Sequence, residues 1–396
     1  MNKTFGIVGL GPCGLYLSIL LLDRHPHLHI HAWEKAARPG GRTRMGSYHH
    51  IPVVTGAGIV RARDHLLRAL CKRLNVPLGR FRSKIQYAFP REKPLLQWIH
   101  KLLEHPHKID RSRPFIDNFI RILGEEAWLM FRQTSGYSDY EKADVWDTIL
   151  DYGFQDNTPG QIMFGIDWDM LSDAMIHYLT TTHRDRFHVH WKSPITHLER
   201  VGDDGKIKIG SIILNALLWT APRNTWDVLD SIILSNDQSR WKRIKKGIVC
   251  QSFLRLYAVP VLEDVEKAKT MYPCMTFLPT NNPLEKILPY KDNVYMISYS
   301  DNHYADRTRE NVSNIEWLEK YTGIRWQSPK AYYFPCGTHY FTPLSPFFGT
   351  DRDDFLEVAH HPSHNLFMCG EGISMNQGWT EGALESATYL AQLFLQ

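Results

Sequence analysis

The sequence has little of what marks a membrane, secreted or metal-binding protein. No stretch approaches the run of about 20 uninterrupted apolar residues that a membrane-spanning helix needs. The six cysteines lie far apart and include no CxxC pair, which argues against a zinc site or a disulfide framework. We therefore expect a soluble, cytoplasmic protein without a metal site. The cysteines are Cys13, Cys71, Cys250, Cys274, Cys336 and Cys369.

Strong charge is absent as well. The formal net charge is +4, and much of the basic excess falls between residues 61 and 113. We interpret this segment as a solvated helical face, with a surface for acidic substrates or partners as the alternative. No nucleic-acid-binding module accompanies the charge, so we expect no nucleic-acid partner. The histidines of HPHLHIH and YHH lack the spacing of a metal site, and we treat them as structural.

The first 35 residues carry the clearest positive signal. The apolar opening imitates a signal peptide, but the Gly-Pro-Cys-Gly turn interrupts it, so we expect a first strand and helix instead. FGIVGLGPCG fits the strand, glycine turn and helix that hold a dinucleotide's pyrophosphate. Glu34, twenty residues after the last glycine of the turn, would accept hydrogen bonds from a ribose diol. The candidate residues are Gly9, Gly11, Pro12, Cys13, Gly14, Glu34 and Lys35.

A second glycine segment, RPGGRTR, follows Glu34 directly. Gly40 and Gly41 allow a close backbone approach, and the donor fork of Arg42 suits a pyrophosphate or a flavin edge. Together with the dinucleotide turn, this segment resembles the extended flavin-binding signature of the flavin-containing amine oxidase superfamily. That superfamily includes monoamine, polyamine and L-amino acid oxidases and, more distantly, protoporphyrinogen oxidases and phytoene desaturases. The resemblance implies that FAD is the cofactor.

The other end of the chain resembles the same superfamily. NLFMCGEGISMNQGWTEGALESA, residues 365–387, is similar to a closing box in which a strand runs into Gly-Glu and an aromatic-x-Glu-Gly-Ala opens the last helix. The resemblance implies that Gly370 and Glu371 meet the ribityl and phosphate region, and that the N–H of Thr380 faces the flavin's pyrimidine oxygen. A helix N-terminus there would stabilise the negative charge of a reduced flavin. Gly378, Trp379 and Ala383 complete this set.

Three intermediate segments match by their order in the chain. The small-residue loop under the flavin ring corresponds to Gly56, Ala57, Gly58 and Ile59. The residue that holds the adenine at a strand start corresponds to Ile195, and Gly165 corresponds to the glycine ahead of a helix. Each could also be ordinary turn or core sequence.

The substrate half matches the superfamily poorly. Most amine oxidases carry a lysine that holds a water near flavin N5, and the resemblance puts Gln251 at that position. A glutamine can hold a water but carries no cation. A slipped alignment would restore Lys245 or Lys246, and Gln251 as a plain strand residue is the third interpretation.

Aromatic residues would flank the flavin. The resemblance implies Trp379 as one wall of an aromatic cage and either His339 or Tyr340 as the opposite wall. Cys336 lies near the position at which monoamine oxidases attach the flavin through a thioether, although the neighbouring glycines do not match.

Arg61 divides two substrate classes. It lies close to the position where L-amino acid oxidases carry an arginine that binds the substrate carboxylate. If Arg61 points into the site, the substrate is an amino acid or another anion; if it points to solvent, a simple amine is favoured. The start of a basic helical stretch favours the solvent-facing orientation.

The remaining chain predicts helices and short strands. Helical spacing covers HLLRALCKRL, PLLQWIHKLLEH, FIDNFIRILGEEAW and DMLSDAMIHYL, and Val249–Pro260 predicts a strand. Ser313 and Glu316 are spaced as a capping box for a helix over 313–321.

These observations predict an α/β protein: an interleaved Rossmann-like FAD-binding domain with an inserted α+β substrate domain. The FAD-binding domain would comprise residues 1–75, 161–245 and 346–396. The substrate domain would comprise a helical part, 76–160, and a sheet part, 246–345.

The expected function is FAD-dependent oxidation of a C–N bond in a small amine or amino acid, with O2 as acceptor. No residue needs to act as a strong base if the amine enters unprotonated, because catalysis then rests on orientation and on the flavin. Two alternatives remain: a desaturase or protoporphyrinogen-oxidase-like enzyme, and a catalytically inert flavin-binding interaction protein. The oligomeric state is undetermined.

Overall fold

A computed structural model describes residues 3–87, 94–273, 276–343 and 352–394. Cys274 and the predicted boundary at 345/346 lie outside these ranges. The strands are β1 (Lys3–Val8), β2 (Leu28–Trp33), β3 (Met45–Tyr48), β4 (Ile51–Val54), β5 (Val60–Arg61), β6 (Gly79–Arg82), β7 (Ile162–Gly165), β8 (Phe187–His190), β9 (Glu199–Val201), β10 (Lys206–Ile209), β11 (Ile212–Leu214), β12 (Ala216–Trp219), β13 (Ile248–Pro260), β14 (Leu278–Pro279), β15 (Lys286–Pro289), β16 (Tyr295–Asp301), β17 (Trp326–Phe341) and β18 (Leu366–Met368).

Most helices lie between strands, but the four within residues 95–151 follow one another without an intervening strand. They are α1 (Pro12–Arg24), α2 (His65–Arg73), α3 (Leu95–Leu103), α4 (Phe115–Leu123), α5 (Glu125–Ser135), α6 (Val145–Asp151), α7 (Trp168–Thr182), α8 (Gln238–Gly247), α9 (Val265–Met271), α10 (Asn302–Glu310), α11 (Ile315–Thr322), α12 (Arg352–His360) and α13 (Thr380–Leu393). Short 3-10 helices cover Pro106–Lys108, Phe154–Asn157, Arg223–Ile232, Ser235–Asp237, Leu262–Asp264 and Glu371–Ile373.

A parallel sheet carries the dinucleotide motif. Its strand order is β18-β12-β1-β2-β8, and every neighbouring pair runs parallel. The chain enters this sheet at its start, returns through β8 and β12, and completes it with β18 near its end. Helices α1, α7 and α13 pack around it, so apolar residues from both ends of the sequence share one core. The carboxyl ends of β1 and β18 therefore lie on the same edge, where dinucleotides bind in such folds.

An antiparallel sheet of order β14-β15-β16-β13-β17 forms the second large element. Its long strands β13 and β17 pair from Ile248 with Phe341 to Pro260 with Trp326, with register shifts between Gln251 and Phe253 and between Tyr257 and Val259. Helices α3 to α6 pack separately around an aromatic core. That core includes Phe115, Phe119, Trp128, Phe131, Tyr140 and Phe154.

Three local predictions differ from the structure. FIDNFIRILGEEAW forms two helices rather than one, because Gly124 adopts φ 93° and ends α4. Helix α11 has Asn314, not Ser313, as its N-cap, with Asn314 Oδ1 accepting from Trp317 N at 3.0 Å. Ile195 lies in the loop between β8 and β9 rather than at a strand start. Among the described residues, no helix has both the length and the apolar character needed to cross a bilayer.

Candidate functional site

The glycine turn after β1 leaves a helix N-terminus open. Gly9 has φ 101°, and Gly11 is the N-cap of α1, where no side chain caps the helix. Pro12 occupies the first helical position, where its missing N–H costs nothing. A Cβ on Gly14 would lie 2.0 Å from the carbonyl oxygen of Gly9, so only glycine allows this close packing of helix on turn. Free N–H groups and the positive helix end make this turn suited to an anion.

Glu34 is anchored beside the turn. It is buried at the end of β2, where Oε2 accepts from Leu10 N and Oε1 from Ala36 N, each at 2.9 Å. The backbone N–H of Ser193 donates to the Glu34 carbonyl oxygen at 2.9 Å, which brings the loop of half-buried Ile195 next to it. The adjoining Lys35 is exposed. The predicted adenosine contacts from three chain passages are thus neighbours.

The second glycine segment faces the first. Gly40 and Gly41 have φ 109° and 56°, and a Cβ on Gly41 would lie 3.4 Å from Gly11 Cα. A Cβ on Gly11 would have its nearest neighbour, the Gly40 carbonyl oxygen, at 3.9 Å. Two strips of backbone therefore approach each other with no side chain between them.

Arg42 and the carboxyl-terminal Gly-Glu pair meet at a buried carboxylate. Glu371 Oε2 lies 3.1 Å from Arg42 Nη1 and 2.7 Å from His339 Nδ1. Glu371 Oε1 accepts from the backbone N–H groups of Gly378 at 2.8 Å and His339 at 3.1 Å. Burial opposes the charge of Glu371, but its interactions with His339 and with the Arg42 guanidinium outweigh burial and hold the pKa of this carboxyl well below its usual range. Glu371 thus ties together Arg42, His339 and the Gly378 turn.

The small-residue loop lies against Arg42. A Cβ on Gly56 would lie 1.8 Å from the Arg42 carbonyl oxygen, and Ala57 N donates to that oxygen at 3.2 Å. From the other side, Arg255 Nε donates to the Gly56 carbonyl oxygen at 2.8 Å. A Cβ on Gly58 would lie 3.0 Å from the same guanidinium. The loop, which ends at half-buried Ile59, is therefore fixed between two arginines.

Arg61 is buried, which corrects the solvent-facing orientation that the sequence favoured. It ends β5, ahead of the basic helix α2, and its side chain is 1% exposed. Its guanidinium lies 2.7 Å from Asp64 and 3.2 Å from Asp156, and Nη2 donates to Asn376 Oδ1 at 2.9 Å. It also stacks 3.8 Å from the ring centre of Trp379. These partners occupy Arg61 and tie it to the carboxyl-terminal box.

That box opens the last helix as the sequence predicts. Trp379 is the N-cap of α13 and Thr380 its first residue, with no side chain capping the helix. Glu381 faces away from this end, because its oxygens accept from Leu66 N at 2.7 Å and Leu67 N at 2.8 Å. The box thus caps α2 as well. Ala383 is buried beneath it.

The predicted lysine position is filled by a constrained glutamine. Gln251, buried on β13, donates from Nε2 to the Asp139 carbonyl oxygen at 2.6 Å. The slipped alternatives, Lys245 and Lys246, lie in the last turn of the preceding helix α8, where Lys245 pairs with Asp230 at 2.9 Å and Lys246 is exposed. Neither lysine lies on β13.

Of the two candidates for the second cage wall, His339 is the more constrained. Its ring bonds to Glu371, and a Cβ on Gly372 would lie 2.9 Å from it. Tyr340 is half-buried and lines an adjacent cleft with Gly378. Tyr340 therefore remains available to contact a ligand.

That cleft is lined by acids. Asp139, Asp147 and Asp151 face it, together with Tyr340 and Gly378, around a cavity of about 40 Å³. Burial and the neighbouring Asp301 raise the pKa of Asp139 to about 7, against the hydrogen bond that it accepts from Tyr152. Burial also raises the pKa of Asp147, to about 6, although Arg352 lies 2.7 Å away.

Buried charges connect this cleft to the Gly56 loop. Lys286 is fully buried, with Nζ 3.4 Å from Asp301 Oδ2 and 3.9 Å from the ring centre of Tyr299. The guanidinium carbon of Arg255 lies 4.0 Å from the centre of the same Tyr299 ring. Burial, opposed by Asp301, lowers the pKa of Lys286. A lysine does therefore occur in this half, but on β15 rather than on β13.

Comparisons with known proteins agree with this architecture. A family model for the NAD(P)-binding Rossmann-like domain matches residues 7–74. The solved structure of a triple mutant of putrescine oxidase superposes over 100% of this chain and 99% of its own, with a TM-score of 0.74 and 13% identity. The chain has the flavin amine oxidase fold. Wild-type putrescine oxidase bound to putrescine gives a TM-score of 0.71 at 12% identity, with 100% and 99% covered.

A third structure with the same fold comes from Exiguobacterium sp. 255-15 and is provisionally assigned as a protoporphyrinogen oxidase, with a TM-score of 0.67, 13% identity and coverage of 100% and 99%. No curated protein matches the sequence significantly. The α/β fold class predicted from the sequence is confirmed. The domain boundaries and the roles of individual residues stay predictions.

Within the flavin amine oxidase fold, the nucleotide-side residues predicted from sequence converge, whereas several charged residues were missed. Asp139, Arg255 and Lys286 come from separate segments that carry no motif. Only their charge could have indicated a role, because charged residues within strands and aromatic stretches are rarely buried without a partner.

Proposed function

We propose that this protein binds FAD and oxidises a small cationic amine, with O2 as the electron acceptor. The observation that carries the proposal is the acid-lined cleft beside Tyr340 and Gly378, next to the predicted flavin-contacting box. Putrescine oxidase, which shares the fold, is named for a diamine substrate.

The nucleotide side fits FAD. Gly11 and Gly41 form a backbone cradle that a side chain would fill, and it opens at the uncapped N-terminus of α1. Glu34, Ser193 and Ile195 would hold the adenosine half, and Arg42 the pyrophosphate or flavin edge. The uncapped N-terminus of α13 at Thr380 would face the flavin ring, over the Gly56 to Ile59 loop.

When bound, FAD supplies at flavin N5 the acceptor for the hydride that leaves the carbon beside the amine nitrogen, and O2 then takes the electrons as peroxide. Asp139 would take the proton from the incoming ammonium, because a pKa of about 7 leaves its carboxyl partly ionised near neutral pH. Trp379 and Tyr340 would orient the neutral amine. The resulting imine hydrolyses in water.

An amine is favoured over an amino acid because Arg61 is unavailable. Its guanidinium is occupied by Asp64, Asp156 and Asn376, so it offers no free fork to a substrate carboxylate. The acidic cleft would also repel the carboxylates of a porphyrin-type substrate. A cavity of about 40 Å³ suits an ammonium group with a short chain better than a macrocycle.

The test is anaerobic reduction of the FAD-reconstituted protein, followed at the flavin absorption band. We expect diamines and monoamines to reduce it and amino acids to fail. Asp139→Asn should slow reduction by about 100-fold at pH 7, whereas Asp203→Asn, an exposed acid in the GDDG turn, should have no effect. Reduction by amino acids alone would contradict the substrate class, and no reduction by any compound with FAD bound would favour an inert protein.

The acceptor needs a separate measurement. Because Gln251 carries no cation, we expect the reduced protein to react with O2 more slowly than its Gln251→Lys variant. Mixing the reduced protein with aerated buffer measures this rate. Equal rates would assign Gln251 a structural role only.

A further inference from the structure

Two thiols and an imidazole meet between the long strands of the antiparallel sheet. The sulfur atoms of Cys250 and Cys336 and a ring nitrogen of His339 all lie within 4.8 Å of one another. Cys250 pairs directly with His339 across the ladder. These residues lie next to Arg42 and Glu371 but take no part in the proposed amine oxidation.

A bulge brings Cys336 to this place. The register between β13 and β17 shifts between Gln251 and Phe253, which pair with Thr338 and Phe334. The three intervening residues of β17 face a single residue of β13, so Cys336 is displaced toward Cys250. A Cβ on Gly337 would lie 2.2 Å from Phe253 Cβ, so the bulge requires glycine there.

The surroundings distinguish the two thiols. Cys336 is 4% exposed, whereas Cys250 is partly exposed. The hydrogen bond from Cys336, and then the nearby His339 and the positive charges of Arg223 and Arg42, outweigh burial and lower the pKa of Cys250 to about 6. The interaction with Cys250 and burial raise the pKa of Cys336 well above its usual range. Of the two thiols, Cys250 is therefore the one that ionises first, while Cys336 keeps its proton.

A second thiol pair provides an internal comparison. The sulfur atoms of Cys13 and Cys369 are 3.3 Å apart, so these two thiols are also in contact. Both residues are buried, and burial together with Cys13 raises the pKa of Cys369 well above its usual value. The two sulfur atoms of this pair are close together, as in the first pair. Both are buried, however, and no cation is among the groups that shift the pKa of Cys369.

Two thiols and an imidazole are also a combination that binds zinc. Here, however, Arg223 N already donates to His339 Nε2 at 3.2 Å, and the opposite nitrogen bonds to Glu371. A cation would have to displace that N–H and approach the guanidinium groups of Arg42 and Arg223. The charges favour a thiolate over a bound metal.

We propose that Cys250 and Cys336 form a peroxide-sensitive redox pair, in which Cys250 reacts first and Cys336 resolves it to a disulfide. The Cys250 thiolate attacks hydrogen peroxide, so an S–O bond forms, the O–O bond breaks, and hydroxide leaves with the electron pair. Cys336 passes its proton to that hydroxide, which gives the first water, and attacks the Cys250 sulfur, so an S–S bond forms, the S–O bond breaks and a second hydroxide leaves. That hydroxide takes up the proton released when the Cys250 thiol ionised, which gives the second water. In total, two thiols and one peroxide give one disulfide and two waters.

The test uses added peroxide, so it does not depend on amine oxidation. The test protein carries Cys274→Ser, which leaves the five thiols of Cys13, Cys71, Cys250, Cys336 and Cys369 to follow. After brief treatment with equimolar peroxide and alkylation, peptide mapping should find a 250–336 disulfide that dithiothreitol reverses, with Cys13 and Cys369 still reduced. Before oxidation, Cys250 should react with iodoacetamide at least about 10-fold faster than Cys13 at pH 7, with a midpoint near pH 6.

Variants separate the two roles. Cys336→Ser should stop at a sulfenic acid on Cys250 that dimedone traps, whereas Cys250→Ser should leave Cys336 reduced. Cys71→Ser, which removes a buried thiol whose pKa burial raises to about 11, should behave as the parent protein. Oxidation of Cys13 and Cys369 ahead of Cys250 would overturn the proposal. So would one equivalent of zinc by elemental analysis that is lost in Cys250→Ser.

Discussion

Buried carboxylates beside the parallel and antiparallel sheets show two kinds of partner, and Glu371, held by Arg42 as well as by backbone N–H groups, combines both. Beside the parallel sheet, Glu34 and Glu381 each accept two backbone N–H groups at 2.7–2.9 Å. Beside the antiparallel sheet, Asp301 lies 3.4 Å from the ammonium of Lys286, and its charge helps to raise the pKa of Asp139. Backbone partners are neutral, and a turn or helix end fixes their positions. Side-chain partners are charged, and these charges shift one another's pKa values.

This difference predicts where the molecule is sensitive. A carboxylate held by N–H groups depends on local backbone geometry, so glycine positions should matter most there. A carboxylate held by a buried ammonium depends on its partner, because removing one of the two charges leaves the other uncompensated in a low dielectric.

The largest effect is expected at Lys286. Lys286→Met should lower the free energy of unfolding by about 4 kcal/mol, because Asp301 would remain buried without its cation. Urea denaturation followed by tryptophan fluorescence measures this loss. The double variant Lys286→Met with Asp301→Asn is the matched control and should recover part of it. A loss below about 1 kcal/mol in the single variant would mean that the ion pair is not coupled.

Next in size is the glycine turn. Gly14→Ala should cost about 3 kcal/mol, because its Cβ would lie 2.0 Å from the Gly9 carbonyl oxygen and must displace the helix. Gly11→Ala is the matched control: its Cβ would meet nothing nearer than 3.9 Å, and its φ of −75° suits alanine. We expect Gly11→Ala to retain the unfolding midpoint and to weaken FAD binding, as measured by titration of the apoprotein. Equal loss of stability in both variants would contradict the packing argument.

The pH dependence of stability should also differ between the two regions. His360 tests it on the side of the parallel sheet. It ends α12, and its Nδ1 lies 2.8 Å from the carbonyl oxygen of Met368 on β18. Burial lowers its pKa from 6.5 to about 4, so the unfolded chain binds more protons between these values and stability is lost as pH falls through them. We expect a loss of about 2 kcal/mol between pH 7 and pH 5 from this group. Urea midpoints at both pH values test it, and His360→Asn, which keeps a donor without a charge, should flatten the slope.

The same contrast explains how far the sequence could lead. Gly9, Gly14 and Glu34 act through backbone geometry and lie within 25 residues of one another, so their spacing alone encodes the turn. The basic stretch after Arg61 favours a solvent-facing side chain, and the sequence gives no sign of the partners Asp156 and Asn376, which are 95 and 315 residues away. No local pattern contains such distances.

The roles of residues on the substrate side were even harder to predict from the sequence, for the same reason. Asp139 reaches the cleft from a connection between two helices, and Lys286 begins a four-residue strand. Their roles depend on charges brought together by the long pairing of β13 with β17. Physical chemistry could indicate that such residues need partners, but only the fold determines which partners they have.

The smallest effect concerns Glu141, on the side of the antiparallel sheet. Burial, opposed by Arg132, raises the pKa of this carboxyl from 4.5 to about 7. The folded protein therefore binds more protons than the unfolded chain in this range, and stability is lost as pH rises, opposite in sign to His360. We expect about 1 kcal/mol of loss between pH 6 and pH 8, absent in Glu141→Gln. If urea midpoints of the parent protein and Glu141→Gln run parallel over this range, Arg132 keeps Glu141 ionised, and the two sheets do not differ in how they bury charge.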